Sequence, residues 1–260
     1  MTSTLATQIP TIDLLGMEIA SIDTTQLLDH MFAELEQGRG GWLVTANLDF
    51  LRRHVNDAQA RSVYEGADLR VADGMPLIWA SRLRGTPLPE RVAGSSMVRP
   101  LCERAAQTGR GVYLLGGDPA ANEVAAGKLL AELPGLRIVG RSSPMVNAIP
   151  TPEQLAPIRE ELERTKPDFV LVAFGSPKQE QVISAMRSLL PGAWWIGVGI
   201  SLSFLAGHVK RAPELVQRMG LEWVHRLTQE PDRLFRRYVI EDIPFAFTLF
   251  GRIARERLRG

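Results

Sequence analysis

The sequence predicts an α/β protein with a largely parallel sheet covered by helices on both faces. Three observations lead there. Five short runs are apolar almost throughout, as strands buried on both faces must be. They are "GWLVTANLD" (41–49), "LRVADG" (69–74), "GVYLLGG" (111–117), "DFVLVAFG" (168–175) and "WWIGVG" (194–199), with a shorter run, "LRIVG", at 136–140. Segments of helical periodicity stand between several of them. Finally, 260 residues, 45% of them hydrophobic and 23% charged, suffice to bury a core without staples.

Taken in order, helical patterns fall at 24–37, 75–84, 95–108, 119–132, 152–164 and 178–189. Pro119 and Pro177 sit where a helix begins, a position that suits a residue with a fixed φ and no amide proton. The stretch "RSSPMVNAIPTPEQ" (141–154) has the Ser, Pro and Asn content of a loop. There is no internal repeat and no low-complexity tract. The expected organisation is an α/β domain over 1–205 followed by a basic, amphipathic segment over 206–260.

Charge supports that division. Residues 208–260 carry 11 basic and 7 acidic side chains, a net of +4, and the rest carries 19 and 22, a net of −3. A whole-chain charge of +1 argues against nucleic-acid binding. The lone cysteine, Cys102, excludes an internal disulfide and fits a reducing compartment; within a helical pattern it reads as a small buried residue. The start, "MTSTLATQIPTIDLLG", lacks a signal peptide's basic and apolar regions, and no run reaches the ~18 apolar residues of a membrane span, so a cytoplasmic location is expected.

Chemistry in an open α/β sheet is expected beyond the carboxyl ends of the strands. There the chain offers "TANLD", "ADGMP", "LGGDPAAN", "FGSPKQE" and "GVGISLS". Asp73, in "VADGMP", admits two readings: an N-cap for the helix starting near Met75, or a catalytic base at the mouth of the sheet. Two exits, at Gly116–Gly117 and at Gly175–Ser176, could present helix-start amides to a phosphate, or be ordinary tight connections. Neither is a Walker loop, and "GVGISLS" lacks the third glycine of the dinucleotide fingerprint, which disfavours an NTPase or an NAD-dependent oxidoreductase. His30, His54, His208 and His225 have no metal-ligand spacing, and no D-x-D motif is present. A diphosphate would therefore be met by amides, Arg, Lys or Gln. In the tail, Arg226, Arg233, Arg236 and Arg237 interleave with apolar residues at helical spacing. This is either a core helix with a solvated basic face or an interfacial element whose Arg residues meet phosphates.

The ordered set "TANLDFL", "ADLRVADGMPLIWASRLRG", "PLPERVAGSSM", "VYLLGG", "PGLRIVG", "FGSPKQE", "LAGHVKRAP" and "GLEWVHRLTQEPDRLFRRY" resembles the bacterial WecG/TagA/CpsF glycosyltransferases (glycosyltransferase family 26), over roughly residues 10 to 240. The resemblance implies a Rossmann-like sheet with helices on both faces plus a C-terminal helical membrane-targeting appendage. It implies transfer of a sugar from a UDP-sugar to a sugar on a polyprenyl diphosphate, with inversion, without metal or cofactor, at the inner face of the cell membrane. By the same resemblance Asp73 is the catalytic base. Thr45 and Asn47 lie at the first strand exit, Arg91 and Gln179 bind substrate, and Arg226, Arg233 and Arg236 are the appendage arginines. Lys178 is a further candidate for binding. One departure concerns the donor: where the family usually reads "GVGGSFDVLAG", this chain has "GVGISLSFLAG", with Ile200 in place of a glycine and Ser203 in place of an acid. The donor sugar (N-acetylmannosamine, its uronic acid or glucose) stays open, as do the pathway, with a lean to exopolysaccharide, and a homo-oligomer that covers the apolar tail. The rival from another class is a non-catalytic nucleotide-binding scaffold of a polysaccharide assembly complex.

Overall fold

A computed structural model describes residues 9–259; the side chains of Glu214, Arg218, Arg233 and Arg259 lie outside the described set. The chain opens with a hairpin that the apolar pattern did not announce, β1 (Thr11–Leu14) against β2 (Met17–Ala20). Its two-residue turn, Leu15–Gly16, has positive φ at both positions, at 53° and 89°. Such turns usually advertise themselves as Asn-Gly or Asp-Gly, and Leu-Gly does not.

The main sheet follows from the predicted runs: β3 (Gly41–Ala46), β4 (Leu69–Ala72), β5 (Gly111–Leu115), β6 (Arg137–Ser142), β7 (Phe169–Val172) and β8 (Trp194–Gly197). Six strands pair in the order β4-β3-β8-β7-β5-β6, all parallel. Successive residues alternate between two cores, as period-2 geometry requires. On β7, Val170 and Val172 enter one core; Phe169 and Leu171 enter the other.

The first core is covered by α2 (Leu48–Asn56), α3 (Ala58–Glu65), α4 (Met75–Arg84), α7 (Pro152–Thr165) and α8 (Lys178–Met186). The second is covered by α1 (Thr24–Glu36), α5 (Gly94–Thr108), α6 (Pro119–Glu132) and α9 (Ser201–Ala206). The expected helices thus all form. Local chemistry sets their starts: Asp23, Asp118 and Thr151 accept backbone amides of the first turns of α1, α6 and α7. Several boundaries differ from expectation: the run over 168–175 is a strand only to Val172, the strand expected at 136–140 continues to Ser142, into the stretch read as a loop, and two further ends have a visible local form. The strand predicted over 41–49 stops at Ala46, because Asn47 turns out of the sheet and caps α2 through its side-chain oxygen, which accepts from Asp49 and Phe50. The helix predicted over 178–189 ends at Met186 and continues as a 3-10 turn, Arg187–Leu189.

Beyond residue 206 come α10 (Glu214–Arg218), α11 (Glu222–Gln229), α12 (Pro231–Phe235), a π-helical stretch (Arg236–Asp242) and α13 (Ile243–Arg259). This segment returns to the first core. Leu234, Phe245, Leu249 and Ile253 are buried, α13 packs on α4, and Arg257 donates to the Leu83 carbonyl. Asp49, 1% exposed on α2, is the second anchor. It meets Arg52 at 2.5 Å, Arg53 at 2.9 Å and Arg237 at 3.1 Å, and Arg52 reaches Asp242 at 3.0 Å. The outward side of the segment keeps large apolar groups in solvent, among them Leu215, Phe235, Ile240 and Phe247, the last 76% exposed. No helix among the described residues is long and apolar enough to cross a membrane.

If α13 is part of the core, truncating its buried face is as costly as truncating the sheet. Leu249→Ala should lower unfolding free energy by about 3 kcal/mol in urea denaturation, the usual loss for a fully buried leucine. A loss under about 1 kcal/mol would mean that α13 is not docked in solution.

Candidate active site

Adjacent strands β3 and β8 send their following helices, α2 and α9, to opposite faces of the sheet. A crevice opens where such connections diverge. Here it is a cleft of about 430 Å³, floored by the carboxyl ends of β3, β4, β7 and β8 and roofed by α11, the π-helical stretch and α13.

Asp73 stands at the end of β4, its amide bonded to the Ala46 carbonyl at 2.7 Å, so the sheet register holds it. It does not cap α4. The N-cap there is Gly74, with no side-chain bond to the first turn. The Asp73 carboxylate instead turns into the cleft and accepts from the Gly94 amide, at the start of α5, at 3.3 Å. The capping reading is therefore wrong: Gly74 and Pro76 begin α4 unaided, leaving the acid free to face the crevice. Burial pushes its pKa up to about 6. Arg91, the Gly94 amide and Arg211 work against that rise, and the Glu222 carboxylate adds to it. A carboxylate with this value is ionised at neutral pH yet a better proton acceptor than an exposed one.

Thr45 and Asn47 line the cleft beside Asp73. The Asn47 oxygen is committed to capping α2, so only the remainder of its amide is available for a ligand. Gly94 approaches Thr45 so closely that an added Cβ would lie 3.2 Å from the threonine oxygen. Gln179 is buried with a fixed amide: its nitrogen donates to Glu180 at 2.7 Å and its oxygen accepts from the Gly199 amide at 3.1 Å. It lies across the end of β8, where a Cβ on Gly197 would come within 2.5 Å of its nitrogen, so a larger residue there would displace the Gln179 amide. Gln179 thus pins the β8–α9 turn as well as facing the cleft. Glu180, buried beside it, is pushed up by desolvation.

Among the arginines, Arg91 lines the cleft and donates to Glu222 at 2.9 Å, and Arg226 lines it with no ion pair among the described residues. Arg233 lies outside the described side chains. Arg236 does not reach the cleft: its side chain is 82% exposed and pairs with Glu241 at the surface. The neighbouring Arg237 occupies the wall instead, held by Asp49 and stacked over Tyr238 at 5.6 Å. The π-helical stretch begins at Arg236, and its wider turn decides which of two adjacent guanidiniums points inward, a choice that helical spacing cannot reveal. Lys178 and Ser203 are likewise absent from the lining. On α9 the cleft-facing residues are Ser201 and Phe204, one turn apart, and Ile200, just before the helix, joins them. The exchange at position 203 therefore acts at α9, away from the cleft wall. The Gly116–Gly117 exit also lies elsewhere; of the two glycine exits, Gly175–Ser176 opens on the site.

Two features of the wall were missed in the sequence: Glu222, and an apolar half formed by Trp79, Trp223 and Phe250. Arg237 was legible only as a member of the arginine series, without a sign that it rather than Arg236 faces the cleft. Cys102 is buried and its thiol pushed up to about 12 by desolvation, so it is structural. His30 and His54 are held neutral by burial, and no histidine lines the cleft. Among the described residues, no group of three or more His, Cys, Asp or Glu is placed to hold a metal.

A family model described as the glycosyl transferase WecG/TagA/CpsF family matches residues 12–259. The chain belongs to this family. It is accordingly a glycosyltransferase of cell-surface polysaccharide synthesis, acting on a sugar-nucleotide donor and a sugar acceptor. In this member of the WecG/TagA/CpsF family the matched region includes the whole cleft, from Thr45 to Phe250.

The elevated Asp73 value carries a stability consequence. The folded protein holds this proton more tightly than the unfolded chain, whose value is near 3.8. The resulting stabilisation is present below about pH 4 and is lost as pH rises through about 6. Asp73→Asn, which keeps an acceptor for the Gly94 amide, should therefore be more stable than wild type by about 2 kcal/mol at pH 7.5 and no more stable at pH 4. Denaturant titrations at the two pH values measure this; equal gains at both would refute the buried-charge origin.

Proposed function

We propose that this protein is an inverting glycosyltransferase that moves a sugar from a UDP-sugar to a sugar carried on a polyprenyl diphosphate, without a metal ion. The observation that carries the reading is Asp73: a base raised to about 6 at the crevice where a sugar nucleotide would lie, while the other acids lining the cleft, Asp49, Glu222 and Asp242, are each ion-paired to arginine. The acceptor hydroxyl gives its proton to an Asp73 oxygen as its own oxygen bonds to the anomeric carbon. The bond from that carbon to UDP breaks on the opposite face, and its electrons leave with the diphosphate. One displacement inverts the carbon and needs no covalent intermediate, as in inverting glycosidases.

The leaving diphosphate needs charge stabilisation. Thr45, the amides at Gly175–Ser176 and the guanidiniums of Arg226 and Arg237 are the groups lining the cleft that supply it. Arginine here replaces a metal's charge with bidentate hydrogen bonds. The exposed apolar groups of residues 215–258, with the surface Arg236, suit attachment to an anionic membrane surface on its inner face, which would bring a lipid-borne acceptor to the cleft. N-acetylmannosamine, its uronic acid and glucose are the donors to test first.

Two experiments address this. UDP release should depend on both a UDP-sugar and a short-chain prenyl-diphosphate-sugar acceptor. It should follow the ionisation of a group near pH 6, falling on the acid side, and drop about 10³-fold in Asp73→Asn while UDP affinity stays within a few-fold. Turnover near wild type in that variant would sink the base assignment, and no release with any donor would favour the scaffold reading. For the membrane, Phe247→Asp with Leu258→Asp should abolish co-sedimentation with anionic vesicles and leave UDP binding unchanged. Full retention on vesicles would remove the interfacial role.

A further inference from the structure

The cleft holds a carboxylate that the reaction above does not use. Glu222, the first residue of α11, is 17% exposed and sits between two guanidiniums. Its Oε2 accepts from Arg91 at 2.9 Å, and its Oε1 lies 3.6 Å from Nε of Arg211. Arg211 in turn donates to the Ser96 hydroxyl on α5 at 2.8 Å. A carboxylate from the C-terminal segment thus takes up two cations at the mouth of the site.

Asp73, by contrast, has one neutral donor, the Gly94 amide, and no ion pair among the described residues. The charged groups that act on it are Arg91, Arg211 and Glu222. Remove Glu222, and two guanidiniums remain with Asp73 as the nearby acid. A guanidinium–carboxylate pair in a partly dry cleft is charge-assisted and often bidentate. It would occupy the oxygens that must receive the hydroxyl proton, and it would make them less basic.

We propose that Glu222 is a positioning residue for the base: by holding Arg91 and Arg211 it keeps both cations off Asp73, so the base is competent only while α11 lies over the cleft. This rests on the reading of Asp73 as general base. It links two parts of the chain that the fold treats separately, the sheet that carries the acid and the C-terminal segment that keeps it available. A bare structural staple between α11 and the core would also place Glu222 on Arg91, but its removal would not bring a guanidinium onto the Asp73 oxygens.

Opposite substitutions separate the two. The carboxyl of Asp73 can be titrated by carbon-13 NMR in protein labelled at aspartate, with Asp73→Asn giving the assignment. Wild type should titrate near 6. Glu222→Gln should move that titration down by about one unit, and Arg91→Gln should move it up. Glu222→Asp, which keeps the charge, should titrate like wild type. The acid limb of kcat/KM should shift in the same directions, and Glu222→Gln should lose about tenfold in turnover on the neutral plateau. An unmoved Asp73 in Glu222→Gln, or a shift of both variants in one direction, overturns the proposal. Should Glu222→Gln fail to fold, the absence of an upward shift in Arg91→Gln does so alone. Because the titration needs no turnover, a protein that titrates as expected but transfers no sugar would refute the transferase reading and leave this inference standing.

Discussion

The structure depends on one topological constraint: β3 and β8 are neighbours in the sheet, yet their chains leave it toward opposite faces. Parallel strands force every connection to cross over the sheet, and two adjacent crossovers of opposite sense cannot close against each other. The gap between them is the cleft. Several groups of its floor stand there because they occupy the first or second residue after a strand: Asn47 after β3, Asp73 after β4, Val198 and Gly199 after β8. Glycine at 197 and 94 lets Gln179 and Thr45 come close enough to fill the floor.

The roof is supplied by the segment after residue 206, and two charge clusters hold it in place. On one side Asp49 collects Arg52, Arg53 and Arg237, with Asp242 close by and itself pushed up to about 6 by burial. On the other, Glu222 collects Arg91 and Arg211. Each removes a carboxylate from water and pairs it with more than one guanidinium, which limits the penalty of burial. The apolar contacts of α13 with α4 do the rest. The same segment therefore has a dry inner side that completes the site and an apolar outer side that faces solvent.

An acid at the cleft floor is costly to the fold and useful to the chemistry for one reason, its removal from water. The hydrogen bond from Gly94 is long, and among the described residues no cation is paired with Asp73. A tighter partner would stabilise the protein and make the carboxylate less basic. The surrounding charges are balanced against each other, so the acid stays in a range suited to accepting a proton near neutral pH.

The sequence by itself determined the layers. Runs such as "DFVLVAFG" are too continuously apolar for anything but a strand covered on both faces, and this is local information. It also determined that Asp73, Asn47 and Gln179 stand at strand exits, since the exit is adjacent in the chain to the strand. The tertiary structure decided what those residues face and which distant groups meet them. Whether Asp73 caps α4 or faces the cleft differs only in the direction of one side chain, and that side chain turns to the Gly94 amide twenty-one residues away. Arg237 rather than Arg236 enters the wall because a π-helical stretch shifts the phase of the turn, and Ser203 leaves it because α9 presents Ser201 and Phe204. Glu222 meets Arg91 across 131 residues. Periodicity reports the face of a single element; the pairing of faces depends on how whole elements pack, which no local pattern contains.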